Sequence, residues 1–219
     1  MAGKQQNVGM TLREALNGRV KCLLFDFAGV LAQHQPMQAR RNLTETAGVN
    51  PEIFWRAYWN ERTPYDAGAI SARNYWGRVS SRVGVTWSTD QIRMLGRLDI
   101  ASWLSPDAEM LELLPQLSEK SLHLAILSNA PHELATAVEK LDWVAPFNPL
   151  IFSCRLGVTK PDRRCYESAI RLLDIAANEV LFIDDRQENV SGAAAIGMQS
   201  ALFCGALQLR DQILDAPSG

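Results

Sequence analysis

The sequence predicts a doubly wound α/β fold on a parallel sheet, with a helical insert after the first strand. Three observations carry this expectation. An almost continuous apolar run at 20–27 stops before Gly29, as a strand buried on both faces does. From Ser105 onward, short apolar runs alternate with amphipathic stretches of helical length, the pattern of successive βαβ units. Between the two, residues 32–103 have helical texture and no strand signal.

In chain order, residues 1–19 read as a polar tail with one short helix at 12–16, ended by Asn17-Gly18. The first strand follows at 20–27. After the insert come a helix at 107–120, a strand at 122–127, a helix at 131–140 and a short strand at 151–153. A helix at 163–174, a strand at 180–183, a helix at 188–196 closed by Gly197, a strand at 201–203 and a helix at 207–214 complete the pattern. The expected division is a tail at 1–19, a core at 20–31 with 104–219, and a helical cap at 32–103.

The insert differs in composition from its surroundings. It holds five of the six tryptophans and nine arginines, no lysine and six acids, so it carries +3 against −5 for the remainder. Its tryptophans can pack a small bundle, or the segment can cover a site and touch a substrate. For the whole chain of 219 residues, 47% hydrophobic and 21% charged residues describe a globular protein of one or two domains. A net charge of −2 gives no electrostatic case for nucleic acid or an anionic membrane. No apolar run approaches the roughly 18 residues of a membrane span, and residues 1–10 are too polar for a signal peptide. Cys22, Cys154, Cys165 and Cys204 lack CxxC spacing, so reduced thiols in a cytoplasmic protein are expected and a zinc site is not.

Ligands of open α/β sheets bind beyond the carboxyl ends of the strands. Asp26 ends the first predicted strand, Ser128-Asn129 the second, and Asp184-Asp185 the one at 180–183. Lys160 precedes the helix at 163–174. Three carboxylates, one ammonium and a hydroxyl–amide pair thus reach one sheet edge, in steps of 102, 32 and 24 residues from Asp26 through Ser128 and Lys160 to Asp184.

In this order the residues resemble the four motifs of the haloacid dehalogenase superfamily: Asp26-Phe27-Ala28-Gly29-Val30-Leu31, Leu127-Ser128-Asn129, Lys160-Pro161-Asp162, and Phe182-Ile183-Asp184-Asp185-Arg186-Gln187-Glu188-Asn189. The insert falls where that family's helical C1 cap belongs, and the chain is most similar to its branch of sugar-1-phosphate phosphatases and epoxide hydrolase N-terminal phosphatases. The resemblance implies a Mg2+-dependent phosphatase of a small phosphorylated metabolite. It makes Asp26 the nucleophile that forms an aspartyl-phosphate, and Asp26, the Ala28 carbonyl and Asp185 the metal ligands. Ser128, Asn129 and Lys160 would contact phosphate. Asp184 would orient Lys160 or a metal-bound water, and Asn189 would lie near the metal's waters. The chemistry is consistent, because phosphoryl transfer calls mainly for positioning and charge stabilisation. A carboxylate nucleophile also splits one hard step into two.

One position departs from the family pattern. Most of its phosphatases carry a second Asp where Ala28 stands, and that Asp protonates the leaving group. Without it, the penalty should fall on esters of ordinary alcohols and spare anomeric, acyl and aryl phosphates. His34, where the chain enters the insert, reads as a solvated linker residue, with a substitute acid as the alternative; His123 and His132 have weaker claims. Two alternatives stay open. One is a phosphate-binding protein impaired in turnover, whether Ala28 is native or replaces an Asp. The other is a 2-haloacid dehalogenase, although the resemblance then implies a Tyr at position 28 and no paired Asp184-Asp185. Phosphonoacetaldehyde hydrolysis needs a cap lysine for its Schiff base, and the insert has none.

Overall fold

Strand β1 (Cys22–Phe25) lies at the centre of the sheet, and its side chains alternate between two apolar clusters. Leu23 and Phe25 pack into the first, Cys22 and Leu24 into the second. The computed structural model describes residues 20–118 and 122–214. The tail expected at 1–19, with its helix, and the last two residues of the helix expected at 107–120 lie outside the described residues.

The other strands are β2 (His123–Ser128), β3 (Leu150–Phe152), β4 (Val180–Asp184) and β5 (Gln199–Leu202). All pair parallel in the order β3-β2-β1-β4-β5, with Phe25 level with Ile126 on one side and Ile183 on the other. The chain builds outward through β2 to β3, then crosses back to β4. The end of β1 is therefore a switch point, where a doubly wound sheet opens a crevice.

Before β2 the helices are α1 (Met37–Ala47), α2 (Pro51–Asn60), α3 (Arg62–Asp66), α4 (Ala72–Val83), α5 (Thr89–Ser102) and α6 (Ala108–Ser118). After it come α7 (His132–Val138), α8 (Ser153–Leu156), α9 (Arg163–Leu173), α10 (Gln187–Ala194) and α11 (Ala206–Leu214). Helices α6 and α7 bury Met110, Leu113, Leu134 and Val138 on one face of the sheet; α9 and α10 bury Tyr166, Ala169 and Ala193 on the other. Covering both faces is what permits a near-continuous apolar strand.

Helices α1–α5 carry their own cluster, built on Leu43, Phe54, Tyr58, Trp76, Val79 and Leu95. Their ends follow local rules. Asn50 accepts from the Glu52 and Ile53 N–H groups ahead of Pro51, and Ser71 and Ser88 cap α4 and α5, satisfying donors that a helix start leaves free. Gly48 and Gly84 close α1 and α4 with φ of 65° and 78°. Of the tryptophans, Trp55, Trp76 and Trp87 pack with this bundle, whereas Trp103 packs with the sheet cluster and Trp59 is half exposed.

The predicted strand ends shift by one or two residues. β1 stops at Phe25 rather than residue 27, because the N–H groups of Leu31 and Ala32 turn back onto the Phe27 carbonyl at 2.9 and 2.8 Å. Ser153 begins α8 instead of ending β3. β5 lies at Gln199–Leu202, two residues before the expected start.

Candidate active site

Four elements converge on the end of β1. Asp26 leaves the sheet with its N–H on the Ile183 carbonyl at 2.9 Å. Its Oδ1 accepts from the Phe27 N–H at 2.6 Å and lies 2.8 Å from Lys160 Nζ. That ammonium also donates to Asp184 Oδ2 at 2.7 Å and to the Leu127 carbonyl at 2.9 Å, with 1% of the side chain exposed. A buried cation is tolerable only when so completely partnered. Burial works against its charge, but Asp26 and Asp184 outweigh that and raise its pKa.

Asp184, fully buried at the end of β4, has both oxygens committed. Oδ1 accepts from the Arg186 N–H at 2.9 Å, and Asn189 Nδ2 spans Oδ1 and Oδ2 at 2.9 and 3.0 Å. Asn189, expected beside metal waters, is thus first a brace for Asp184. Its own Oδ1 is buried without a donor among the described residues. Asn129 shows a similar displacement of role. Its amide, expected on phosphate, bonds the backbone of Lys160 on both sides. Ser128 ends β2, 3% exposed, and both residues line the cavity.

Carboxylate oxygens of Asp26, Asp184 and Asp185 lie within 4.8 Å of one another. Burial pushes the Asp26 carboxyl up to about 7; Lys160 opposes this and the neighbouring Asp184 charge adds to it. Asp185 is raised too, by burial and then by Asp184, with His34 opposing. Anions so close resist joint ionisation. The donor set is all oxygen, as a hard cation requires, and the unpartnered Asn189 Oδ1 suits a coordinated water. The residues therefore fit Mg2+.

Gly29 makes this packing possible. Its φ is 86°, and a Cβ there would fall 2.6 Å from Asp185 Oδ2 and 2.7 Å from His34 Cε1. His34 Nε2 lies 3.1 Å from Asp185 Oδ2 with 70% of its side chain exposed, which puts it on the metal side. His123 is exposed at the start of β2, and His132 opens α7 beside Gly68. The four cysteines are unpaired, and Cys22, Cys154 and Cys165 are buried.

Above these residues is a cavity of about 550 Å3, walled from the helical side by Trp59, Arg62, Asp66 and Trp103. Arg62 and Asp66 belong to a buried network absent from the sequence reading. Arg62 Nε donates to Asp66 Oδ1 at 2.8 Å, and its Nη1 to Asp99 Oδ2 at 2.9 Å and the Tyr58 hydroxyl at 2.5 Å. The i,i+4 spacing of Arg62 and Asp66 beside Tyr58 and Trp59 is the sequence signal that could have singled out this arginine among nine.

Residues 20–197 match the family model described as haloacid dehalogenase-like hydrolase. The chain belongs to that family. A sesquiterpene phosphatase of Aspergillus oryzae is 28% identical over 81% of this chain and 87% of its own length. A phosphatase of Mycobacterium tuberculosis is 23% identical over 89% and 92%. A haloacid dehalogenase family enzyme of Bacteroides thetaiotaomicron, solved as a magnesium complex, superposes with a TM-score of 0.69 at 20% identity, over 84% of this chain and 93% of its own. Among the described residues no helix is long and apolar enough to cross a membrane.

Proposed function

We propose that this hydrolase is a Mg2+-dependent phosphatase of a small phosphorylated metabolite. The observation that carries it is the Asp26–Lys160–Asp184 triad with Asp185 alongside, at the switch point of the sheet. The names of the Aspergillus and Mycobacterium relatives support the same reaction.

In this mechanism the Asp26 carboxylate attacks phosphorus, the ester oxygen leaves, and water then hydrolyses the aspartyl-phosphate. Ser128 and the Asn129 N–H hold phosphate oxygens. Lys160, fixed as a cation by Asp184, offsets charge on the nucleophile and the transferred group. Asp26, the Ala28 carbonyl and Asp185 would hold Mg2+, which supplies positive charge between carboxylates and phosphate. Asp184 has no oxygen to spare and serves as the support of Lys160. With Ala28 in place of the usual acid, turnover is weaker than with a carboxyl there.

Trp59 and Trp103 suit an organic group with an apolar face. A sugar ring has one, and so does the sesquiterpene skeleton in the Aspergillus relative's name. The proposal includes the division into a core at 20–31 with 104–219, a cap at 32–103 and a tail at 1–19. It also includes a cytoplasmic location, for which the unpaired thiols speak, and free metabolites rather than nucleic acid or membranes as partners. The test is release of inorganic phosphate from a panel of phosphorylated metabolites, with and without Mg2+. Halide release from a 2-haloacid in EDTA would overturn it in favour of a dehalogenase. Tight phosphate binding without turnover of any ester would favour the impaired binding protein.

A further inference from the structure

Ala28 leaves the proposed reaction without a proton for the departing oxygen, and few groups on the cavity wall can bring one. Asp26 attacks, Lys160 is locked in two ion pairs, and Asp185 faces the metal position. Glu188 pairs with Arg186, and both side chains are exposed. From the helical side come His34, Arg62 and Asp66. His34 is engaged with Asp185, and a guanidinium does not give up its proton in a protein. Asp66 is the acid that remains among the described lining residues.

Asp66 shares one guanidinium with Asp99, and the two carboxyls are treated unequally. Asp99 receives Arg62 Nη1, the Tyr58 hydroxyl at 2.5 Å, Trp103 Nε1 at 3.2 Å and Gln35 Nε2 at 3.4 Å. Asp66 receives Arg62 Nε alone among the described residues. Two carboxylates on one buried cation leave an excess negative charge, and a single proton removes it. The carboxyl with fewer donors is the one to take that proton. Its surroundings agree: Tyr58 and Tyr75 lie over Arg62, Tyr65 is bonded to Glu133 of α7, and Cys154 and His132 flank the next turn. Burial is the largest influence on Asp66, Arg62 opposes it and Asp99 adds to it, and the carboxyl is pushed up to about 7.

Position also favours it. The Asp66 carbonyl accepts from Ser153 Oγ at 2.6 Å, and that hydroxyl accepts from the Ala130 N–H at 2.9 Å. One side chain therefore ties the end of α3 to the loop that begins with Ser128 and Asn129. Asp66 keeps 12% of its side chain open and lines the cavity opposite the sheet edge.

We infer that the Asp66 carboxyl is the general acid that the site lacks at Ala28. The inference rests on the phosphatase reading above. As Asp26 forms its bond to phosphorus, the bond to the ester oxygen breaks, and that oxygen takes the Asp66 proton and leaves as the alcohol. In the second step the Asp66 carboxylate takes a proton from water as the water oxygen bonds phosphorus. The Asp26–phosphorus bond breaks, phosphate leaves, and Asp66 is again protonated. The steep leaving-group dependence expected from Ala28 alone is thereby flattened.

The test uses the full chain with Mg2+, an n-alkyl phosphate and 4-nitrophenyl phosphate, whose leaving group needs no proton. In the unaltered protein the ratio of kcat/KM, alkyl over aryl, each expressed for the substrate dianion, should fall as pH rises through about 7, because enzyme ionisations shared by the two reactions then cancel. In Asp66→Asn, 4-nitrophenyl phosphate should still give a burst of one nitrophenolate per site. The turnover after it should drop, and the alkyl ester should lose its first step, each by ~10²–10⁴-fold. A merely structural role would slow burst, turnover and both esters alike, and that result overturns the proposal. So does a ratio that is flat in pH, or hydrolysis of the aryl ester alone by the unaltered protein. The pH ratio needs no variant and stands if Asp66→Asn fails to fold. Hydrolysis of neither ester brings down the phosphatase reading and this proposal with it.

Discussion

Asn129 clamps the backbone of Lys160, its Nδ2 donating to the Lys160 carbonyl at 3.0 Å and its Oδ1 accepting from the Lys160 N–H at 2.9 Å. The last residue of one motif thus fixes where another motif's ammonium stands. Asn129→Ala should cost about 1–3 kcal/mol for two lost hydrogen bonds. It should also lower kcat by up to ~10²-fold through a displaced Lys160. Urea unfolding and steady-state phosphate release check the two effects separately.

Asp26→Asn should abolish phosphate release and leave the fold intact, since the amide has the same shape but is a poor nucleophile. Circular dichroism and a phosphate assay decide it. Turnover persisting in a folded variant free of deamidation would falsify the aspartyl-phosphate mechanism.

The two adjacent aspartates should separate cleanly. Asp184→Ala leaves Lys160, the Arg186 N–H and Asn189 without their shared partner, and breaking a buried pair costs about 3–5 kcal/mol. Asp185→Ala should cost less stability but weaken Mg2+ binding more. Calorimetric Mg2+ titration beside chemical denaturation reads both, and the reverse ranking would remove Asp185 from the metal set.

Asp66 makes a linkage prediction of its own. Its folded carboxyl is raised from 3.8 to about 7, so the folded state holds a proton that the unfolded chain releases. Stability from this group is full below about pH 4, is lost as pH rises towards about 7, and is level above that. In EDTA, the unaltered protein should therefore lose stability relative to Asp66→Asn across that interval. Parallel urea midpoints from pH 4.5 to 7.5 would contradict it.

How far the sequence reaches depends on what each feature needs. The β1 run was legible because a strand buried on both faces has no polar side to interrupt it, and Leu23, Leu24 and Phe25 are all fully buried. Asp26, Lys160, Asp184 and Asp185 were legible because each ends or precedes an element whose period shows in the sequence. The direction of an amide does not show there, so the sequence alone does not reveal that the Asn129 side chain holds the Lys160 backbone and that of Asn189 holds Asp184. The Arg62–Asp66–Asp99 network was hidden for another reason. Asp99 meets Arg62 only when α5 folds back onto α3, and the local i,i+4 pairing with Asp66 marks the arginine without showing this distant partner.

The turn after β1 has a mechanical consequence. Gln33 N–H bonds the Ser105 carbonyl at 2.8 Å, so the two chain segments joining sheet and helices run side by side there. Ala32 bridges both Ala28 and Pro106, and its carbonyl accepts from the Gly29 N–H at 2.6 Å. A pivot for the helical segment and the loop that carries Asp26 and Ala28 are thus one piece of backbone. A rotation of the helices about these segments would turn Ala32, whose carbonyl holds the peptide after Ala28. Opening by such a rotation would therefore shift the loop that carries Asp26 as well, so that access to the cavity and the set of that loop would change together.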